Sequence, residues 1–181
     1  MKKKLFAGAI LSVLSFGALA DTPSFNNIEI GYSNIDFDGL PDFSGFEIKG
    51  SKELSENWYL AGDYTDVSEG GFSLSLTTFG FGYKNDFSDS SSYFAEIDYA
   101  RLDADGGVDE SGYEISFGVR SMLSNELELK AAIEYLDIDN EDTTYLVLGS
   151  AYNFTDNMAL YADYKYESDV SEYGVGVRFS F

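Results

Sequence analysis

From residue 27 onward, apolar and polar residues alternate with a period of two, interrupted at intervals by clusters of Asp, Ser, Asn and Gly. In an extended chain this alternation places the apolar side chains on one side. The interruptions have the composition of turns. Ten segments follow this pattern. In residues 27–37, Ile28, Ile30 and Tyr32 oppose Glu29, Gly31 and Ser33, after which Ile35 and Phe37 fall out of phase, so a β-bulge is expected. Residues 43–52 set Phe46 and Ile48 against Glu47 and Lys49. Leu60 and Tyr64 then oppose Ala61 and Asp63. In residues 72–84, Phe79, Phe81 and Tyr83 alternate with glycines; Phe72, Leu74 and Leu76 have the other parity, predicting a second bulge near Thr77 and Thr78. The fifth segment sets Tyr93, Ala95, Ile97 and Tyr99 against Glu96 and Asp98. The sixth sets Tyr113, Ile115, Phe117 and Val119 against Glu114, Ser116, Gly118 and Arg120. The seventh opposes Leu127, Leu129, Ile133 and Tyr135 to Glu128, Lys130 and Glu134. The eighth, with Leu146, Leu148 and Tyr152, has weaker contrast because Tyr145 and Val147 are apolar too. The ninth opposes Met158, Leu160, Ala162 and Tyr164 to Tyr161, Asp163 and Lys165, and the tenth opposes Tyr173, Val175, Val177, Phe179 and Phe181 to Gly174, Gly176, Arg178 and Ser180.

A soluble antiparallel sheet alternates as well, so the pattern alone does not separate water from lipid. Segment length does. Each segment runs about nine to eleven residues, the length a tilted strand needs to cross the hydrocarbon layer. Aromatics gather at the ends of the apolar stripes, as in Tyr93 with Tyr99 and Tyr152 with Phe154. Lipid requires every backbone N–H and C=O to be paired within the protein, which permits a closed barrel and forbids an open sheet. The expected fold is therefore all-β: a closed antiparallel transmembrane barrel of ten strands, with eight as the alternative. An even number returns both ends to one side. The connections then fall into two sets. Residues 53–57, 85–92, 122–126 and 153–157 are assigned to the periplasm, and three of them share related sequences beginning Leu54-Ser, Leu123-Ser and Phe154-Thr. Residues 103–110, 137–142 and 167–169 are acidic and assigned to the outside.

Composition sharpens this reading. Residues 1–20 carry Lys2, Lys3 and Lys4, an apolar stretch and the small residues Ala18 and Ala20 around a cleavage point, as in a removable secretory signal. Residues 21–181 then form the barrel domain. Losing those lysines leaves 8 of the 11 basic residues against 32 acids, a formal charge of −24, which disfavours nucleic acid as a partner. No later stretch is long and apolar enough for a spanning helix. There is no cysteine, so disulfides contribute nothing to stability, while fourteen Tyr and fifteen Phe against two Pro suit a strand-rich chain.

The closing residues carry a resemblance. Gly176, Phe179 and Phe181, with Tyr173 ahead of them, fit the C-terminal strand signal of bacterial outer-membrane barrels; Gly174 departs from it where a polar residue is usual. With the signal peptide and the hairpin series, the chain resembles the superfamily of small outer-membrane β-barrels, of the OmpA and OmpX type and porin-like. The resemblance implies a place in the outer membrane of a Gram-negative envelope, contact with its lipid and lipopolysaccharide, and recognition of the last strand by the barrel-assembly machinery. It implies no particular activity.

Chemistry narrows the options further. The chain has no histidine, whereas the enzymes among outer-membrane barrels place one at their sites. Without His or Cys a serine nucleophile lacks its usual base and nitrogen or sulfur metal sites are absent, so neither catalysis nor a cofactor is expected. The candidate functional residues are the charges on the inward phase: Glu29, Glu47, Lys49, Asp63, Glu96, Asp98, Glu114, Arg120, Glu134, Asp163, Lys165 and Arg178, together with Glu128 and Lys130. Ten strands spaced roughly 4.8 Å apart and tilted roughly 40° close at a backbone radius of about 10 Å, so side chains from opposite walls nearly meet. Two functions remain open. One is a structural or surface-interaction barrel with a filled, charged interior. The other is a narrow porin-like channel preferring cations or small polar solutes, with gaps left by Gly31, Gly45, Gly80, Gly82, Gly118, Gly174 and Gly176. Residues 103–110 faintly resemble the start of a calcium loop but lack its spacing and distal Glu, so the acidic loops read as a solvated rim with weak divalent-cation binding as the alternative. A monomer is the default.

Overall fold

The alternation resolves into ten strands: β1 (Asn27–Phe37), β2 (Phe43–Glu53), β3 (Trp58–Glu69), β4 (Phe72–Ser88), β5 (Ser91–Ala104), β6 (Val108–Met122), β7 (Leu127–Ile138), β8 (Glu141–Asn153), β9 (Met158–Tyr166) and β10 (Val170–Ser180). The computed structural model describes residues 21–139 and 141–181; the expected signal segment, with Ala18 and Ala20, lies outside the described residues. Each strand pairs antiparallel with its sequence neighbour, and β1 pairs with β10 to close the ring. The seam is continuous, from Asn27 opposite Ser180 to Phe37 opposite Val170. Among the described residues no strand edge is left for another chain to add to. All ten segments are staves of one ring, which removes the eight-strand alternative.

Side chains obey the pleat around the whole ring. Outward phases carry Ile30, Phe81, Ile97, Phe117, Leu160 and Phe179, each at least half exposed. A soluble protein rarely shows contiguous apolar surface on this scale. At one end of this stripe lies a belt of tyrosines, in which Tyr32 stands 6.4 Å from Tyr173 and Tyr113 stands 6.1 Å from Tyr135. The other end carries mixed aromatics, with Trp58 5.2 Å from Tyr83 and Phe179 6.5 Å from Phe181.

Neither expected bulge forms at its expected place. β1 keeps unbroken register with both neighbours, and β4 matches β3 residue for residue from Trp58 opposite Tyr83 to Glu69 opposite Phe72. With the phase intact, Ile35, Phe37, Leu74 and Leu76 turn inward rather than out. The phase breaks in the sequence therefore mark a change in the interior, which becomes apolar toward the tyrosine end. There Phe43 packs edge-on against Phe37 at 5.6 Å and Phe72 at 6.1 Å. A register shift does occur at Asp86 and Ser88 in β4.

The strands are also longer than expected, reaching 17 residues in β4 and 15 in β6. Much of the acidic stretch 103–110 is consequently strand, because β5 runs to Ala104 and β6 starts at Val108. The β3–β4 turn is Gly70-Gly71, with φ of 59° and 86°, the left-handed pair that a tight hairpin matched to strand twist requires. At the opposite end three turns repeat one design. The N–H groups of Leu54, Leu123 and Phe154 donate to the carbonyls of Trp58, Leu127 and Met158 at 2.8, 2.7 and 3.0 Å. The hydroxyls of Ser55, Ser124 and Thr155 accept from the N–H groups of Trp58, Leu127 and Met158 at 3.2, 3.1 and 3.0 Å. Both ends of the described chain lie on this side of the barrel, called here the near end.

Candidate functional site

The inward phases bring the charged residues into one space. Glu29, Lys49, Asp63, Glu96, Asp98, Glu114, Arg120, Glu134, Asp163, Lys165 and Arg178 line a single cavity of about 160 Å³, as does Lys130. Glu47 is fully buried behind Lys49, and Glu128 is buried between two arginines. The twelve candidate positions thus sit inside the ring.

Most of these charges are paired across strands. Arg178 on β10 bridges to Glu29 on β1 at 2.6 Å and to Glu128 on β7 at 3.0 Å, and Arg120 on β6 holds Glu128 through a two-pronged contact at 2.8 and 3.0 Å. This chain of alternating sign spans the seam and the far wall. A second group joins Lys49 on β2 to Glu47 at 3.1 Å and to Asp163 on β9 at 2.9 Å, while the Tyr161 hydroxyl donates to Glu47 at 2.7 Å. Lys165 meets Glu134 at 2.9 Å. On the remaining wall the Tyr59 hydroxyl and Ser116 donate to Glu96 at 2.6 and 3.2 Å. Asp98, 3% exposed, leaves Oδ1 without a hydrogen-bond partner. Buried charges are tolerated when opposite charge and hydrogen bonds replace lost water; the Asp98 side of the cavity is where that compensation is thinnest. Among the described residues no set of carboxylates is arranged to hold a metal ion.

The interior glycines are occupied seats rather than the expected gaps. A methyl group added at Gly82 would collide with the Tyr59 ring, one at Gly31 or Gly176 with Tyr161, and one at Gly174 with the Glu47 carboxylate. In so narrow a ring a large inward side chain lies across the adjoining strands, and it fits where they carry glycine, as Tyr59 does over its ladder partner Gly82 and Tyr161 over its partner Gly176. The remaining positions of the C-terminal motif face out: Tyr173, Phe179 and Phe181 are exposed on the apolar side, and only Gly176 faces in.

Several residues that fill the interior were not among the candidates. Tyr59 and Tyr161 share the inward phase with Asp63 and Asp163, and Glu172 shares it with Gly174, so extending each strand's parity identifies them. Phe25 offered no such signal, because it precedes the alternation. The segment ahead of β1 nevertheless enters the near mouth and buries Pro23 and Phe25 there. The Phe25 ring lies 4.7 Å from Tyr59 and 6.1 Å from Phe94, with the Arg120 guanidinium 4.4 Å and the Lys84 ammonium 5.0 Å from its centre. Glu53 clasps the segment: its carboxylate accepts from the Phe25 N–H at 3.3 Å, from Asn26 Nδ2 at 3.0 Å and from Lys84 at 2.6 Å.

The cavity is therefore closed unequally. At the near end Tyr59 is fully buried and Phe94 is 2% exposed. Toward the tyrosine end Ile35, Leu76, Lys49 and Lys165 remain partly exposed. The arrangement is a cup with a charged floor. In the loop after β9, Ser168 donates to Glu167 at 2.6 Å and the Asp169 N–H at 2.8 Å; these bonds hold the Glu167 carboxyl below its ordinary range.

No protein-family model matches the chain, and no curated protein matches it. Among solved structures, the chain is similar to the NanC porin at 10% identity, covering 86% of this chain and 100% of that one with a TM-score of 0.49. It is similar to the outer membrane protein OprG from Pseudomonas aeruginosa at 12% identity, with 86% and 94% covered and a TM-score of 0.46. Ail, the attachment invasion locus protein of Yersinia pestis, is similar at 16% identity, with 86% and 97% covered and a TM-score of 0.42. These neighbours are outer-membrane β-barrel proteins, and the likeness to them is one of fold.

Proposed function

We propose that this protein is a non-enzymatic barrel of the bacterial outer membrane whose interior is closed to solutes, with a structural or surface-interaction role. The carrying observation is the near mouth, where Phe25 is sealed between Tyr59 and Phe94 beneath a cross-linked ionic layer. The apolar outer stripe faces acyl chains, and the tyrosine belt faces the outer leaflet and its lipopolysaccharide. The near end lies in the periplasm, reached by a chain whose signal residues 1–20 are removed after Ala20. β10 closes the seam, and its Tyr173, Gly176, Phe179 and Phe181 are the residues through which the barrel-assembly machinery receives it.

Planar bilayers test closure. The wild-type protein is expected to be silent at high protein load. Steady cation-preferring openings would instead support the narrow channel, which the surplus of eight acidic over five basic side chains lining the cavity favours.

A further inference from the structure

The near-end seal is formed by a segment outside the sheet. Residues 21–26 contribute no strand, since β1 begins at Asn27. They enter the ring from its rim and fill it with two side chains, Pro23 and Phe25. Phe25 is also part of the cavity wall, together with Lys49, Asp98 and Glu134 deeper inside. One face of the ring thus touches the cage of Tyr59 and Phe94 while another bounds open space. Phe25 thus stands between that space and the near mouth, and it belongs to no strand pair.

The attachment is local. One carboxylate, Glu53, accepts from the Phe25 N–H and from Asn26 Nδ2, and the Asn26 amide oxygen accepts from the Glu53 N–H at 3.1 Å. The cationic groups over the ring are engaged elsewhere, Lys84 with Glu53 and Arg120 with Glu128. They would stay in place when the ring leaves. The seal is thus a short tether carrying two buried side chains, of which Phe25 reaches the cavity, in contrast to the barrel wall, where each strand is paired on both sides.

From this placement we infer that residues 21–26 are a removable cork, and that withdrawing Phe25 turns the cup into a passage for small cations. The permeant class follows from the wall, since the cavity lining carries more acidic than basic side chains, and the acidic surplus lies on the Asp63, Asp98 and Glu114 side. Such a charge balance raises the local concentration of cations over anions in a narrow, low-dielectric space. The inference rests on the closed-barrel reading for its resting state and adds to it a hinged inner seal.

The experiment uses full-length processed protein refolded into planar bilayers, with wild type, Phe25→Ala and Phe25→Cys compared in potassium chloride. The expected result is silence in wild type and discrete openings in both variants, with potassium favoured over chloride severalfold. The chain has no native cysteine, so the thiol introduced by Phe25→Cys would be its sole one, and adding a benzyl thiosulfonate reagent to the recording chamber should restore an aromatic ring there and close the openings. Because that closure is read on molecules already inserted and conducting, misfolding cannot imitate it. Variants that show the heat-shifted gel mobility of a folded barrel yet stay as silent as wild type would overturn the cork. Openings insensitive to the reagent would do the same. Conduction by wild type at a lower level than by Phe25→Ala would sustain the cork while contradicting the closed resting state, and equal conduction by both would contradict the two together.

Discussion

Arg178 shows most directly what holds the interior together. Its guanidinium reaches Glu29 across the seam and Glu128 on β7, three strands away, and it is mostly buried. Removing one partner of a buried pair strands the other charge away from water, which typically costs about 3–5 kcal/mol. Arg178→Met should therefore lower stability by roughly that amount, measured by urea unfolding of the refolded barrel in lipid vesicles. Adding Glu29→Gln to it should recover part of the loss, since Glu128 keeps Arg120. A neutral single variant would mean that the pair is solvated. Which residues face inward could be read from parity alone, and that is why the charged candidates fall inside the ring. Who pairs with whom could not. The partners Glu29 and Arg178 are distant in sequence and meet only through closure, and Glu47 finds Tyr161 only because Gly174 and Gly176 leave room. The interior glycines were legible as inward positions, but their role as seats depends on which side chains the strand register sets beside them.

At the level of elements, turn chemistry was the most faithful guide. The related stretches at Leu54, Leu123 and Phe154 form the same hydroxyl-capped turn because Ser or Thr at one offset satisfies a backbone N–H in each case. The phase breaks in β1 and β4 misled for an identifiable reason. A rule that places polar residues inside assumes a uniformly polar interior, and here the interior becomes apolar near Phe37, Phe43 and Phe72. The outward face of β6 gives a direct test. Phe117 is 56% exposed there, and an arginine near the bilayer midplane costs roughly 2–4 kcal/mol. Phe117→Arg should show that loss in vesicle unfolding while Phe117→Leu stays close to wild type; equal stability would place the face in water. For β10, Phe181→Ser should reduce insertion into the outer membrane while export continues. The amount of heat-shiftable barrel in membrane fractions measures this. An unchanged yield would remove the role proposed for the motif.

Considered whole, the molecule is a ring whose exterior and interior have exchanged the usual roles of surface and core: the apolar stripe is outside and the ionic network is inside. Ring closure and strand number followed from the sequence because ten alternating segments admit few other ways to satisfy every backbone group in lipid. The cork did not, since Phe25 carries no periodic signal and its cage of Tyr59 and Phe94 exists only once the ring has formed. Everything else depends on the apolar stripe facing lipid, and the chain contains its own probe of that contact. Its one tryptophan, Trp58, is 53% exposed on the outward face at the near-end aromatic belt. In vesicles of brominated phospholipids, its fluorescence should be strongly quenched, more by bromines near the headgroup than by those deep in the acyl chains, and little by aqueous iodide. Strong iodide quenching with no response to brominated lipid would contradict the account.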